Sequence, residues 1–312
     1  MARTLPVAAA QLGPIPWGTT REAAVSRLID LLEQAAAKGA RLVVFPELAL
    51  TTFFPRHYLE PDNLATFFET EMPGPATQPL FDAARRLGIG FYLGYAERAD
   101  VALPAMGFNT AILVDDTGTI VGKYRKVHLP GHSTYDAGRP WQHLEKRYFA
   151  VGDLGFPVWR TMSGILGMCL CNDRRWPETF RVLGLQGVEL VMLGYNTPAA
   201  NAVGREPVHL RQFHSDLTTQ AGAYQNGTWV VSTAKAGRED GVDMIGGSII
   251  VAPSGEVVAR THTLDDEVIV ADCDLDACQF NKTTIFNFAA HRRIEHYGII
   301  TRQAGASLPE NG

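Results

Sequence analysis

Short runs that are apolar at successive positions after at most one charged residue, rather than at every second position, recur along the chain: Arg41–Phe45, Ile165–Cys171 and Glu189–Leu193. A strand with one face in water alternates polar and apolar residues, whereas a strand covered on both faces does not. The chain must therefore build sheets buried on both sides, with helices or a second sheet as cover. The same sequence supplies the helices. Thr19 and Glu22 form a capping-box pattern ahead of Val25, Leu28, Leu31, Leu32 and Ala35 at helical spacing, and Gly39 stops that helix. Further helices are expected at Gln78–Leu87, Glu178–Leu185 and near Val208–Gln225.

Other strands are expected at Pro6–Gln11, Ile89–Tyr95, Asn109–Val114 and Thr119–Lys123, the last two joined across Asp116-Thr117-Gly118. Four more follow at Thr228–Thr233, Gly247–Ala252, Glu256–Arg260 and Glu267–Asp272. The two halves share this rhythm, which suggests a pseudo-symmetric pair of sheets within an α/β fold. No Pro/Ser-rich linker or charge block divides the sequence, so one domain over residues 1–304 and a loose tail over 305–312 are expected.

With 46% apolar residues among 312, the chain can bury a large core. A net charge of −5 with interspersed signs gives no basic face for nucleic acid and no polybasic membrane patch, so a small-molecule partner is expected. No apolar run approaches the roughly 18 residues of a membrane helix, and the first residues lack the zones of a secretory signal, which together point to the cytoplasm. Cys169, Cys171, Cys273 and Cys278 are too few and too irregular for a disulfide framework.

Three segments end or follow a buried strand and then present an ionisable residue: VVFPEL at Glu47, GKYRKVHLPG at Lys126 and GMCLCNDRRWPE at Cys171. A carboxylate leaving an apolar strand is partly desolvated, which suits a general base. The turn Asn172-Asp173-Arg174-Arg175 is electropositive and is expected to lower the Cys171 pKa from its ordinary value of about 8.5. Cys169, two residues earlier in a regular strand, would share its face at greater depth as a packing thiol. Together the three groups suit acyl transfer: Glu47 takes the thiol proton and later activates water, the thiolate attacks the carbonyl, and Lys126 stabilises the oxyanion, aided by the Asn172 N–H.

These motifs, in this order, resemble the Glu-Lys-Cys triad of the nitrilase superfamily. The phrases LTTFFPR, MPGP, HLEKRYF, CNDRRWPE, LGYNTP and QNG resemble more narrowly the N-carbamoyl-D-amino-acid hydrolases. The resemblance implies a four-layer αββα sandwich, a homodimer or homotetramer, no metal or cofactor, and an N-carbamoyl-D-amino acid as substrate. It also implies that Arg174 and Arg175 hold the substrate carboxylate and that Asn172, Asn196 and Thr197 line the pocket. His128 and His143 would support them, and Glu145 would be a second carboxylate beside the triad. The loop 199–206 departs from the family's pattern and leaves side-chain preference open. The aromatic segment Ile285–Tyr297 is expected to reach across a subunit interface.

Simpler readings compete with these. Lys126 shares a basic cluster with Lys123 and Arg125, which alone would read as a solvated face, and the two arginines could pair with Asp173 or Glu178. His128, His132 and His143 superficially suggest a zinc site, but Pro130-Gly131 breaks the helix that an HxxxH pair needs. A β-ureidopropionase, an aliphatic amidase or a non-catalytic binding scaffold remain as alternatives.

Overall fold

The computed structural model describes residues 3–200 and 206–309. In chain order its strands are β1 (Thr4–Gln11), β2 (Leu42–Val44), β3 (Gly90–Arg98), β4 (Gly107–Val114), β5 (Ile120–Arg125), β6 (Val158–Thr161) and β7 (Gly164–Leu170). They continue as β8 (Leu190–Tyr195), β9 (Trp229–Ala234), β10 (Ala236–Glu239), β11 (Val242–Ile245), β12 (Ile249–Val251), β13 (Val257–Arg260) and β14 (Glu267–Asp274). One six-stranded sheet runs β14-β1-β2-β3-β4-β5 and the other β6-β7-β8-β9-β12-β13. Read in those orders, each sheet has an antiparallel pair, two parallel pairs and two more antiparallel pairs. The repetition seen in the sequence is thus a repetition of topology, with β6 playing in the second sheet the part that β14 plays in the first.

The helices are α1 (Arg21–Ala37), α2 (Pro61–Ala65), α3 (Gln78–Leu87), α4 (Glu145–Tyr148), α5 (Pro177–Leu185), α6 (Val208–Asn226), α7 (Cys278–Thr283), α8 (Phe288–His291) and α9 (Gly298–Arg302). Helices α1 and α3 cover the outer face of the first sheet, where Leu28, Leu32, Leu80 and Phe81 pack on Val43, Phe45, Phe91 and Leu93. Each such fully buried side chain contributes about 1.5–3 kcal/mol of burial energy. The alternate residues Leu42, Val44, Tyr92 and Leu113 face inward onto the second sheet, which α5 and α6 cover in turn. This gives the four layers αββα. Tyr92 pins the sheets together, donating to the Cys169 carbonyl at 3.0 Å and accepting from the Gly194 N–H at 3.2 Å.

Several local expectations need correction. The cap of α1 is Thr20, whose side chain accepts from the Ala23 N–H, while the Thr19 hydroxyl turns back to the Pro16 carbonyl. The strand ends at Leu170, and Cys171 has φ +43°, so strand alternation does not carry through Cys169 to Cys171. Apart from these corrections, the residues Ile285–Tyr297, expected at a subunit interface, lie along the outer helices: the Phe286 ring meets Tyr224 edge-on at 5.0 Å, and the segment lines a groove with Val182 and Leu185. Of the divergent loop 199–206, residues 201–205 lie outside the described residues.

Candidate active site

Glu47 stands just beyond β2, where the Pro46–Glu47 backbone runs between the two sheets. The passage exists because the neighbouring strands carry glycine. A Cβ at Gly94 of β3 would lie 2.8 Å from the Glu47 Cα, and one at Gly194 of β8 would lie 2.6 Å from the Glu47 nitrogen. The Glu47 carboxylate is completely buried and held on all sides. Its Oε1 accepts from Lys126 Nζ at 2.6 Å and Asn109 Nδ2 at 2.8 Å, and its Oε2 from the Asn196 N–H at 3.0 Å.

Lys126 follows β5 directly, with its backbone N–H on the Asn109 carbonyl at 2.8 Å. Its ammonium also donates to Glu145 Oε2 at 2.6 Å. Burial alone would lower the Lys126 pKa, but the two carboxylates outweigh it and raise the value, so the ammonium stays charged. Glu145, at the start of α4, faces the same opposition. Burial favours its neutral form, yet Lys126 and the His143 imidazole at 3.0 Å hold its pKa down.

Cys171 opens a 3-10 turn, Cys171–Arg175, whose left-handed first residue turns the thiol out of the strand and into a cavity of about 510 Å³. Its Sγ lies 3.4 Å from the Asn196 carbonyl. The expected depression of its pKa does not occur. Burial pushes the thiol up and Glu47 adds to this, while the cations Lys126 and Arg174 pull the other way and do not prevail. Reading the turn from its arginines alone left out two distant carboxylates and the loss of water. The alkylation rate of Cys171 is therefore expected to rise with pH along a curve whose inflection lies above about 8.5, the ordinary thiol value. A plateau reached below pH 7, measured with iodoacetamide, would show a preformed thiolate instead.

Asp173 ties this turn to the strand that carries Lys126. Fully buried, it accepts from the Tyr124 hydroxyl (2.6 Å), the Leu170 N–H (3.0 Å), the His128 N–H (2.9 Å) and His128 Nδ1 (2.8 Å). His128 is thereby a support for the turn, stacked on Trp176 at 5.0 Å, and it does not line the cavity.

The adjacent arginines separate. Arg174 is sealed behind the cavity, donating to the Cys171 carbonyl at 2.6 Å and to Thr197 Oγ1 at 3.0 Å, with its guanidinium over the Tyr195 ring. Arg175 faces the cavity together with Cys171, Asn172, Asn196, Thr197 and His143. Burial and the Arg174 charge bring the Arg175 pKa down to about 10, and among the described residues no ion pair joins it to a carboxylate. Arg139, Arg211 and Glu206 complete the charged wall, with Glu206 engaged by Arg211 at 2.8 Å and His214 at 2.6 Å.

Sequence reasoning passed over Asn109, the tying role of Asp173, and the wall residues Arg139 and Arg211. An asparagine inside the apolar strand Gly107–Val114 was a usable signal, since a buried amide needs partners. Arg211 had none, being one polar residue on a helix. The three histidines considered for zinc go to different partners: His128 to Asp173, His132 to Gln142 and Arg139, and His143 to Glu145. Among the described residues no group of three His, Cys, Asp or Glu side chains is placed to hold a metal ion, and no helix is long and apolar enough to cross a membrane.

A buried thiol on a turn beside a Glu–Lys–Glu cluster, on paired sheets flanked by helices, is an arrangement that can be set beside known proteins. Residues 6–282 match the carbon-nitrogen hydrolase family, and the chain belongs to it. N-carbamoylputrescine amidase from Solanum lycopersicum is 30% identical over 98% of this chain and 97% of its own length. Citrullinase from Francisella tularensis is 27% identical over 89% and 93%. Among solved structures, a carbon-nitrogen hydrolase from Helicobacter pylori superposes with a TM-score of 0.82, at 24% identity and coverage of 97% and 99%. An amidase from Nesterenkonia sp., seen with the acetamide moiety of fluoroacetamide on its active-site cysteine, superposes at 0.68, with 22% identity and coverage of 91% and 96%. The fold is that of the nitrilase superfamily, and the protein is an amidohydrolase.

Proposed function

We propose that this protein hydrolyses N-carbamoyl-D-amino acids to the D-amino acid, ammonia and carbon dioxide through a thiol-linked intermediate on Cys171. The observation that carries the reading is Arg175, a half-buried guanidinium in the wall of the Cys171 cavity with no carboxylate partner among the described residues. A guanidinium in that state favours an anionic ligand and fits an amino-acid carboxylate through two parallel hydrogen bonds. The names of the relatives support a carbamoyl-bearing substrate. The charge of the wall argues against a cationic one such as N-carbamoylputrescine, because Arg139 is matched by Asp136 and Arg211 by Glu206, which leaves the Arg175 charge in excess. The D configuration is supported by the phrases shared with that enzyme group.

In this reading Glu47 accepts the Cys171 proton as sulfur bonds to the ureido carbon, because the resting group is a thiol. Lys126 stabilises the oxyanion. The C–N bond breaks as Glu47 passes the proton to the departing nitrogen. Glu47 then takes a proton from water as its oxygen attacks the thiol-linked carbonyl, and returns that proton to sulfur as the C–S bond breaks; the carbamic acid released falls apart into carbon dioxide and the remaining amine. Glu145 keeps Lys126 charged and in place.

Ammonia release from paired N-carbamoyl-D- and N-carbamoyl-L-amino acids tests this, each run with EDTA and with iodoacetamide. D-selective turnover that survives chelation and is lost on alkylation is expected. A preference for the L series, for β-ureidopropionate or for N-carbamoylputrescine would overturn the substrate assignment. Arg175→Ala is expected to raise KM for ureido acids by about tenfold to a hundredfold, the worth of a lost charge-assisted hydrogen bond, while sparing kcat. An unchanged KM would move the carboxylate clamp to another wall residue.

A further inference from the structure

The chain buries a second set of charges that the reaction does not use. Lys235, Glu239 and Arg56 are nearly or wholly inaccessible to water, and they lie between the hairpin β10–β11 and the loop Thr51–Arg56. We propose that this cluster is a positioning unit that fixes the width of the Cys171 cavity by holding its two facing walls at a set separation.

Glu239 is the centre of the unit. Its Oε2 accepts from Lys235 Nζ at 2.8 Å and the Ile15 N–H at 2.9 Å, and its Oε1 from Arg56 at 2.7 Å and the Phe53 N–H at 2.7 Å. Arg56 also donates to the Glu239 carbonyl, and Lys235 to the Thr51 carbonyl. From this centre the hairpin leads to one wall. The Ile245 N–H bonds the Thr197 carbonyl at 2.9 Å, the Ala199 N–H bonds the Asp243 carbonyl at 2.7 Å, and Met244 bridges Pro198. Thr197 and Pro198 line the cavity.

The Thr51–Arg56 loop leads to the other wall. Its Arg56 and Pro55 carbonyls accept from the Gln142 and Leu144 N–H groups at 2.9 and 2.7 Å, and the Phe53 ring meets His143 edge-on at 5.7 Å. Trp141 and His143 line the cavity, and His143 also holds Glu145. Charges that are buried, paired and fully hydrogen-bonded add little net stability over apolar packing, but they tolerate only one geometry. One such geometry, bonded to both walls, sets what fits between them.

The inference rests on reading the Cys171 cavity as the substrate site, and it is tested without any substrate. Cys171 is alkylated with iodoacetamide and with a bulkier N-aryl iodoacetamide, the labelled position being confirmed by peptide mass mapping. Wild-type protein is expected to react much faster with the small reagent. Arg56→Lys, which keeps the charge and loses the fork, is expected to shrink that rate ratio by about tenfold while the iodoacetamide rate stays within about twofold. Equal changes for both reagents, or a lowered melting temperature with an unchanged ratio, would show a merely structural role and overturn the proposal. Should Arg56→Lys fail to fold, Phe53→Leu leaves the ion pairs in place and removes the ring that lies against His143 at 5.7 Å and under the Arg56 guanidinium at 5.6 Å. It is expected to shrink the ratio by a smaller factor, and an unchanged ratio there also overturns the proposal. Absence of D-carbamoyl turnover would overturn the substrate reading while leaving a shifted ratio to stand.

Discussion

Replacing Cys171 with alanine or serine is expected to abolish turnover, by about 10⁴-fold or more, without unfolding the protein. The two halves of this expectation have separate causes. The thiol sits where the main core meets the cavity, with the Asn196 carbonyl at 3.4 Å as its hydrogen-bond partner, and serine or alanine there alters a single heavy atom. Its φ of +43° is equally costly for cysteine, serine and alanine, so the exchange changes no backbone strain. The chemistry has no substitute, because the neighbouring thiol Cys169 lies wholly inside the core. Steady-state ammonia release together with a thermal melt checks both halves. Turnover within about tenfold of wild type would remove Cys171 from the reaction, the residual expected of intact binding being far smaller.

Asp173→Asn is expected to cost about 3 kcal/mol of stability and to slow turnover by about a hundredfold, although it changes a single atom. Asp173 receives four donors, two on each oxygen, and each pair includes one backbone N–H: His128 on Oδ1 and Leu170 on Oδ2. An asparagine offers one acceptor and one amide NH2. Tyr124 and the His128 ring can adapt, by rotation and by tautomer, but a backbone N–H cannot. Whichever way the amide turns, one buried N–H meets another donor, and the Cys171 turn shifts relative to Lys126. The midpoint of urea unfolding measures the first effect, and kcat at unchanged substrate range the second. An unaltered midpoint would mean that the turn is held by something other than Asp173.

The parts of this architecture that can be read in the amino-acid sequence are those fixed by short-range rules. Helix α3 ends at Gly88, which adopts φ +64°, and the apolar runs at 41–45 and 189–193 are central strands because neither face meets water. The hairpin β10–β11 escapes such reading. Ala-Gly-Arg-Glu and Val-Asp-Met-Ile carry no strand pattern, and what pairs them is the buried Lys235–Glu239–Arg56 cluster together with the Thr197–Ala199 backbone. In the site, Glu47, Lys126, Glu145 and Cys171 carry their own motif contexts, and the structure brings them together. The opposite fates of Arg174 and Arg175 depend on the rotation of a five-residue 3-10 turn, which spacing does not reveal. The direction of the Cys171 shift depends first on burial between the sheets and then on carboxylates that arrive from positions 47 and 145.

The passage of Pro46–Glu47 between Gly94 and Gly194 has a consequence for how the protein comes into being. Glu47 and Lys126 leave the strands of the first sheet, Cys171 leaves the second, and the two sheets close on the Glu47 backbone only once β8 delivers Gly194 and Asn196. Synthesis proceeds from the amino terminus, so a growing chain holds the carboxylates and the ammonium well before it holds a thiol placed to meet them. The Glu–Lys–Cys cluster is therefore complete only after the chain has passed residue 196, and its first half waits on the second for a wall.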